Sequence, residues 1–317
     1  MIKRLQSLAF LFALFLSCPI VQAENVPPPV GDSYYYLEVP PGGLADFFRW
    51  HPLRIPLVSH HRGAPAPGFA ENSIEAMQNA LRYGPGLMEV DVAQLADGTL
   101  ILMHDNTLDR TTTGKGRVAE AVWPDIAPLT LVDQEGRNTG HRVPKLSDVL
   151  RWTTGRAILT LDIKTGTDFR AVAREVEAAG ASDYVVAITY SLDQALEYQA
   201  IAPSMMQTVT MRNVEELAAV EASGLKPETI IAWTGTSLAP KDFYQMLHDR
   251  GWRVIVGTLG NPGYSIDGQI FRSGDDSKYL DILNLGADVI ATDRFWAVQG
   301  QIMNPNIFVF TRSKLYR

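Results

Sequence analysis

Cysteine is almost absent from this 317-residue chain, which contains only Cys18. A single thiol cannot form an intramolecular disulfide. An excess of positive charge is lacking as well: 28 Lys and Arg face 35 Asp and Glu, which gives a net charge of −7. An acidic chain does not suit nucleic acid or an anionic membrane as a partner. An anionic small-molecule substrate would therefore need a local cluster of basic side chains.

Long hydrophobic runs are also missing, apart from one short stretch near the N-terminus. Lys3 and Arg4 precede an apolar segment over residues 8–16, and Ala23 ends a segment typical of signal-peptidase cleavage. The apolar segment is short for a membrane span, and an uncleaved anchor is the alternative. The pattern predicts that residues 1–23 are a signal peptide and that no stable membrane insertion follows cleavage. An exported protein, periplasmic or secreted, is expected.

Cleavage after Ala23 would change the chemistry of the mature chain. It would remove Cys18 and leave no thiol chemistry, and it would remove two basic and no acidic residues, which changes the net charge from −7 to −9. A lipoprotein attached through Cys18 is a minor alternative, because the preceding residues only loosely resemble a lipoprotein cleavage sequence and Pro19 follows the cysteine. No pattern in the sequence predicts the oligomeric state.

Most of the chain alternates short apolar β-type runs with amphipathic helical stretches. Such alternation predicts a parallel sheet. Eight or nine strands within about 250 residues favour a closed (β/α)8 TIM barrel over an open sheet. No Gly-x-Gly-x-x-Gly follows the first strand, which argues against a dinucleotide-binding fold. Residues 105–144 break the alternation and are predicted to be an insertion after the strand that ends at His104.

The predicted organisation is a signal peptide at 1–23, an irregular lead-in at 24–53, a barrel domain at 54–300 and a C-terminal tail at 301–317. The strands are predicted at 57–61, 87–92, 100–103, 157–163, 184–189, 206–209, 229–232, 253–256 and 289–291. Helices are predicted at 72–82, 167–179, 192–200, 213–222, 240–250 and 278–285.

Two carboxylates share one face of the second predicted strand. Glu89 and Asp91 are two residues apart, so both side chains point to the same side, and the apolar residues between them point to the other. Two carboxylates inside a barrel repel each other unless a cation or strong donors compensate them. A hard divalent ion, Mg²⁺ or Ca²⁺, would do so. The alternative is a carboxylate pair at a solvated strand end.

A later strand repeats this polar row. Thr160, Asp162 and Lys164 alternate with apolar residues and therefore share one face. Alone, the Asp-x-Lys pair would usually be a structural ion pair. Next to a second row of inward carboxylates, it offers a third metal ligand and a fixed cation for a phosphate group.

Histidines are predicted at the ends of two strands. His61 follows the first strand and His104 follows the strand at 100–103, and barrel enzymes place catalytic groups at the carboxyl ends of strands. A histidine pair with pKa values near neutrality can take a proton from one group and give one to another. His60 should point away from His61 and is expected to be structural.

These residues occur within an ordered string of motifs. The string resembles the glycerophosphodiester phosphodiesterase family, within the superfamily of phosphatidylinositol-phospholipase-C-like barrel phosphodiesterases. Its motifs are His61-Arg62-Gly63, Glu71-Asn72-Ser73, Glu89-Val90-Asp91-Val92, Asp97-Gly98, His104-Asp105, Leu108-Asp109-Arg110-Thr111-Thr112, Gly114-Lys115-Gly116, Asp162-Ile163-Lys164 and Ala287-Asp288-Val289-Ile290-Ala291-Thr292-Asp293.

The resemblance implies a TIM barrel with one divalent cation, and hydrolysis of glycerophosphodiesters to glycerol 3-phosphate and an alcohol. In the mechanism that we expect, one histidine activates the nucleophile, which is either water or the glycerol C2 hydroxyl. By motif, the metal ligands would be Glu89, Asp91 and Asp162. His61 and His104 would be the acid/base pair. Arg62 and Lys164 would hold the phosphate, and Glu71 would orient Arg62 or contact the substrate.

Three departures from the family pattern bear on the substrate. Asp162 stands where the family usually has Glu, as in the similar sphingomyelinase D toxins. Gly257 replaces a usual Trp, which predicts a roomier pocket, with Tyr264, Phe271 or Trp233 as possible replacement rings. Residues 260–276 form a longer connection than usual, either a ligand cover or a plain surface loop.

One alternative function is that of a phospholipase D-like relative that acts on lysophospholipids or sphingolipids. An exposed apolar rim at the barrel mouth would favour this alternative. A non-catalytic binding protein is a further alternative.

Overall fold

The computed structural model describes residues 25–29 and 31–304. The predicted signal peptide, including Cys18, lies outside the described residues, as does the predicted tail from residue 305 onward. The described chain folds into a closed barrel surrounded by helices. This confirms the predicted (β/α)8 TIM barrel.

The strands and helices of the described residues are numbered in chain order. The strands are β1 (Leu57–His60), β2 (Gly86–Gln94), β3 (Leu100–Leu102), β4 (Thr130–Val132), β5 (Asn138–Arg142), β6 (Ile158–Ile163), β7 (Val185–Ile188), β8 (Met206–Thr210), β9 (Ile230–Trp233), β10 (Val254–Gly257) and β11 (Val289–Thr292). The α-helices are α1 (Gly43–Phe48), α2 (Ile74–Ala80), α3 (Trp123–Ile126), α4 (Leu146–Thr153), α5 (Phe169–Ala178), α6 (Leu192–Ile201), α7 (Val214–Ala222), α8 (Lys241–His248), α9 (Ile266–Ser273), α10 (Lys278–Leu285) and α11 (Phe295–Ile302).

Eight of these strands form the barrel, and each runs parallel to its neighbours. The ring order is β1-β2-β6-β7-β8-β9-β10-β11, and it closes where β11 pairs with β1. The strand before His104 is not part of this ring, because β3 pairs antiparallel with the last residues of β2. The prediction that His104 ends a barrel strand is therefore wrong. His104 returns to the barrel mouth because β3 runs back along the projecting end of β2.

Both faces of the barrel strands are buried, as expected for parallel strands covered by helices. On the outer face, residues such as Val90, Val92 and Leu161 pack beneath the helices. On the inner face, the amino ends of the strands contribute one apolar layer. This layer contains Leu57, Leu87, Ile158, Val186, Met206, Ile231, Ile255 and Val289. Polar inward residues come later along the strands, so the apolar and polar ends of the barrel interior are separated.

The lead-in closes the apolar end of the barrel. It was predicted to be irregular, but residues 43–48 form α1, and Leu44, Phe47 and Phe48 pack against the inner apolar layer. The helix is only six residues long, begins at Gly43 and follows two prolines and a glycine, so its sequence carries little helical periodicity. Burial against the barrel, rather than local propensity, stabilises it.

The predicted insertion has its own small core. Between β3 and α4 the chain forms α3 and the antiparallel β4–β5 hairpin. Leu108, Val118, Ile126 and Leu131 pack there against the outer side chains of β3. The insertion is thus a folded layer beside the mouth, and it can hold side chains at fixed positions.

The predicted barrel helices all form, with ends displaced by a few residues. Their first turns are capped where the sequence supplies a suitable side chain, because Ser73, Asp168, Ser191 and Asn213 each accept a hydrogen bond from a first-turn N–H. The helices α4, α9 and α11 were not predicted. Among the helices of the described residues, none combines the length and the apolar character that crossing a membrane requires.

The closure by α1 predicts a large loss of stability when its most buried aromatic side chain is removed. Phe48 is 1% exposed, so Phe48→Ala should lower the free energy of unfolding by about 3–5 kcal/mol. Urea denaturation measures this change. Leu53→Ala in the same lead-in is the control: Leu53 is 71% exposed, and its loss should stay within about 0.5 kcal/mol. Equal small losses in both variants would show that α1 does not close the barrel.

Candidate active site

The first barrel strand ends in a tight turn that carries His61 and Arg62 to the barrel mouth. Arg62 has a φ of 51°, in the left-handed region that is costly for a residue with a Cβ atom. Its N–H donates to Glu89 Oε2 at 2.6 Å, and its carbonyl accepts from the Asn72 N–H at 2.8 Å. Groups of the site itself therefore hold the turn in its strained conformation.

His61 is fixed by a carboxylate on the last barrel strand. Its Nδ1 lies 2.6 Å from Asp293 Oδ1, so Nδ1–H donates and Nε2 carries the free lone pair. Burial alone would lower the pKa of His61, but the hydrogen bond to Asp293 and the charge of Glu89 outweigh burial and raise it. The other Asp293 oxygen accepts from the Gly260 N–H at 2.9 Å. His61 is thus oriented with one nitrogen available for proton transfer.

Three carboxylates meet inside the barrel mouth. Asp91 and Asp162 are register partners on β2 and β6, and one oxygen from each, together with one from Glu89, lies within 4.8 Å of the others. Burial and the neighbouring charge of Asp91 raise the pKa of Glu89 to about 8. Asp91 is 1% exposed and Asp162 is 8% exposed. The alternative of a solvated strand end is therefore wrong.

Donors and positive charges surround this cluster. Lys164 Nζ lies 2.5 Å from Asp91 and 2.7 Å from Asp162. Asn72 binds Asp91 twice, since its amide donates to Oδ2 at 2.7 Å and its side-chain oxygen accepts from the Asp91 N–H at 2.9 Å. Arg62 Nε lies 4.0 Å from Asp91 Oδ2. The local cluster of basic side chains that an anionic substrate requires is present here.

A closed ring of hydrogen bonds connects His104 with Arg62 through the insertion. Asp105 accepts from His104 Nδ1–H at 2.8 Å, and its two oxygens accept from Arg110 at 2.7 and 2.8 Å. Arg110 also donates to both oxygens of Glu71, at 2.7 and 2.8 Å. Glu71 in turn accepts from Arg62 Nη1 at 3.3 Å. The ring closes where Arg62 Nη2 donates to His104 Nε2 at 2.7 Å.

The ring orients His104. Its Nδ1–H donates to Asp105, which can only accept, and its Nε2 accepts from Arg62. The hydrogen bonds from Arg110 hold the pKa of Asp105 well below its usual range. Both oxygens of Glu71 are occupied by arginines. Of the two roles predicted for Glu71, orienting Arg62 matches these contacts.

The remaining histidines lie away from the site. His60 is fully buried, its Nδ1 pairs with the Leu87 carbonyl at 2.9 Å, and burial lowers its pKa to about 4. This matches the structural role predicted for it. His248 pairs with Asp288 and stacks on Trp50 with a centroid separation of 4.4 Å. His248 is therefore a packing residue.

The expected space beside Gly257 is filled. A Cβ atom at this position would lie 2.6 Å from Trp233 Cη2 and 2.9 Å from Thr236 Cγ2. Both Trp233 and Gly257 end neighbouring barrel strands, so the ring from β9 covers the glycine on β10. The prediction of a roomier pocket at Gly257 is wrong, and Trp233 is the replacement ring among the three that were considered.

The connection at 260–276 is not a plain surface loop. It contains α9, whose Asp267 is 3% exposed and accepts from the Asp293 N–H and the Thr292 hydroxyl, each at 2.8 Å. Tyr264, a proposed covering ring, is 84% exposed. The connection therefore supports the carboxylate that orients His61.

All eight residues predicted for the site lie at this mouth, but several of their supports were not predicted. Asn72, Asp105, Arg110 and Asp293 stood in the recognised motifs without an assigned role, so their position in the motif string was the available signal. Tyr190 had no signal. It follows β7, and burial together with the nearby charge of Asp162 raises the pKa of its hydroxyl.

A family model and solved structures of similar proteins all indicate the same protein family. The model of the glycerophosphoryl diester phosphodiesterase family matches residues 61–188. The fold is similar to that in a crystal structure of a glycerophosphoryl diester phosphodiesterase from Parabacteroides distasonis. The two sequences are 30% identical, and the structures superpose with a TM-score of 0.74 over 82% of this chain and 90% of that chain. A glycerophosphodiester phosphodiesterase from Agrobacterium tumefaciens is 26% identical, with a TM-score of 0.61 over 77% of this chain and 100% of that chain.

Curated relatives align over shorter segments. A glycerophosphodiester phosphodiesterase from Caldanaerobacter subterraneus subsp. tengcongensis is 35% identical over 112 residues, which is 35% of this chain and 46% of that protein. Mouse glycerophosphodiester phosphodiesterase 1 is 30% identical over 125 residues, which is 38% of this chain and 37% of that protein. The chain thus spans less than half the length of these two curated relatives.

The barrel, its acidic mouth and these similarities define a phosphoric diester hydrolase. The chain belongs to the glycerophosphoryl diester phosphodiesterase family.

The hydrogen-bonded ring predicts that Arg110 positions the site without contacting the reacting group. Arg110→Met should lower kcat for phosphodiester hydrolysis by about 10–100-fold, as expected when a group that orients an active-site residue is lost. Arg110→Lys should restore only part of this activity, because lysine cannot make two bidentate pairs. Steady-state kinetics measures both variants. Full activity in Arg110→Met would mean that the ring does not orient His104 and Arg62.

Proposed function

We propose that this protein hydrolyses glycerophosphodiesters to glycerol 3-phosphate and an alcohol, with one divalent cation bound by Glu89, Asp91 and Asp162. One observation carries the proposal: two buried carboxylates and the half-buried Glu89 meet beside Arg62, the residue that connects His61 and His104. The family to which the chain belongs supports the reaction class.

The residues present fit a hard cation. They offer carboxylate oxygens, which Mg²⁺ and Ca²⁺ prefer, and the raised pKa of Glu89 reflects a buried cluster that lacks enough positive charge. When bound, the cation would polarise the phosphoryl group and stabilise the charge that develops there. Asp162 is shorter than the usual Glu, but its place on β6 directly beside Asp91 brings its oxygen within the cluster. Mg²⁺ and Ca²⁺ both suit this ligand set.

The protein's own groups have complementary roles in this proposal. Arg62 and Lys164 bind phosphate oxygens, and both already lie against the acidic cluster. His61 Nε2 and His104 Nε2 exchange protons with the nucleophile and with the leaving alcohol oxygen. The nucleophile is water or the glycerol C2 hydroxyl, and either histidine can serve as the base. Glu71 orients Arg62 and does not itself bind phosphate.

A phospholipase D-like reaction on lysophospholipids or sphingolipids has less support. The relatives described above carry the glycerophosphodiester name. The observation in favour of lipid substrates is that the connections after the barrel strands carry exposed apolar side chains. These are Tyr190, Val214, Leu238, Tyr264 and Phe271. Lysophosphatidylcholine therefore belongs in the substrate panel beside glycerophosphocholine, and faster hydrolysis of the lysolipid would reverse the order of the two proposals.

Export is part of the proposal and rests on the sequence of residues 1–23 alone. The partner is a small-molecule phosphodiester, for which the acidic chain provides a local basic cluster at Arg62 and Lys164.

The metal site predicts complete dependence on a divalent cation. EDTA should abolish hydrolysis of glycerophosphocholine, and Mg²⁺ or Ca²⁺ should restore it. Glu89→Gln should also abolish hydrolysis but leave the protein folded, because it removes repulsion from a crowded acidic cluster. Choline-release kinetics and circular dichroism measure the two effects. Full activity in chelator would contradict the proposal.

The proposed roles of the histidines predict that substitutions of the adjacent residues His60 and His61 have very different effects on kcat. His61→Ala and His104→Ala should each lower kcat by on the order of 10²–10⁴. His60→Ala is the matched control, because His60 is fully buried beneath α11 and has no part in the mouth. Its loss should appear as reduced stability, with kcat nearly unchanged. A kcat loss in His60→Ala as large as that in His61→Ala would mean that the first strand's end was assigned wrongly.

A further inference from the structure

A cavity of about 560 Å³ adjoins the acidic cluster. It lies between the connection that follows β6 and the start of α6, and Asp162 and Lys164 belong to its lining as well as to the cluster. A phosphodiester bound at the cluster can therefore extend one of its two ester groups directly into this space.

One wall of the cavity is aromatic. Phe169 and Tyr198 stack with a centroid separation of 3.6 Å and an interplanar angle of 7°, and both are buried. The stack joins α5 and α6, which carry Phe169 and Tyr198 respectively. Tyr190 is 59% exposed and lines the cavity beside Asp162. Its ring thus lies where the cavity meets the cluster.

The charge of the cavity is negative. Asp162, Asp168 and Glu197 line it, and Lys164 is the basic residue among its lining. Lys164 is already paired with two carboxylates. Asp168 caps α5 through the Arg170 N–H. Within the part of the chain that the structure describes, no hydrogen bond or ion pair engages the Glu197 carboxylate, so it is available to a ligand.

We infer that this cavity is a subsite for the alcohol part of the substrate and that it selects a cationic alcohol. Aromatic faces and an unpaired carboxylate are the groups that bind a primary or quaternary ammonium. Arg174 lies 3.9 Å from Asp168, so it partly compensates that carboxylate, whereas an anionic group beside Glu197 would meet an uncompensated carboxylate. Glu197 supplies the charge, and Tyr190 supplies the exposed aromatic surface beside the Phe169–Tyr198 stack. This inference rests on the proposed hydrolysis of glycerophosphodiesters.

The test compares two substrates that differ in one charge, using the full metal-loaded protein. Glycerophosphocholine carries a quaternary nitrogen, and the glycerophosphodiester of 3,3-dimethylbutanol has a neutral carbon in its place. Glu197→Gln should lower kcat/KM for the choline ester by about 5-fold, the effect of losing one partly exposed ion pair. It should change kcat/KM for the neutral ester less than about 2-fold, because no ion pair is lost. Glu177→Gln is the matched control, an exposed carboxylate near the opposite end of α5.

Binding of the alcohols alone separates the subsite from the reaction. Titration calorimetry should show choline binding to the wild-type protein more tightly than 3,3-dimethylbutanol, with the difference lost in Glu197→Gln and kept in Glu177→Gln. Equal binding of the two alcohols, or no binding of choline, would overturn the subsite whatever the enzyme hydrolyses. If choline binds as expected but no glycerophosphodiester is hydrolysed, the proposed function fails and the cationic subsite stands.

Discussion

The structure depends on the mutual repulsion of three carboxylates that the barrel brings together. Burial and the charge of Asp91 raise the pKa of Glu89 to about 8, so the cluster is short of positive charge. The surrounding contacts answer this shortage: Lys164 bridges two of the carboxylates, Asn72 binds Asp91 twice, and the Arg62 N–H binds Glu89. These same contacts shape the turn that presents Arg62. The contacts that compensate the negative charge of the carboxylates therefore also fix the geometry of the active site.

The two ends of the barrel interior have different roles: one stabilises the fold and the other carries the reactive groups. The amino end is filled by an apolar layer and closed by α1, with no need for polar compensation. The carboxyl end carries the charged groups and is supported by an insertion with a separate core and by α9. Substitutions at the apolar end should thus act on folding, and those at the mouth on the reaction. This separation is common in barrel enzymes, whose catalytic groups lie at the carboxyl ends of the strands.

The barrel and its inward carboxylates could be predicted because strands have a period of two: one count along the chain places Glu89 and Asp91 on the same face. Tertiary contacts escaped prediction. The α1 helix is held by burial rather than propensity, and β3 resembles a barrel strand in composition although it pairs antiparallel. The ring through Arg110 joins residues up to 42 positions apart, and Trp233 covers Gly257 from a neighbouring strand. The local periodicity of a sequence does not show which side chains from distant segments will be in contact.

At Arg62, the left-handed backbone conformation lowers the stability of the fold, whereas the side chain is needed for activity. A glycine there would relax a conformation that costs a residue with a Cβ atom about 1–2 kcal/mol. The same change would remove the guanidinium that contacts His104 and Glu71. Selection for a more stable fold and selection for turnover therefore act in opposite directions at this residue. A screen of random variants by thermal tolerance alone would favour replacements that disable the enzyme.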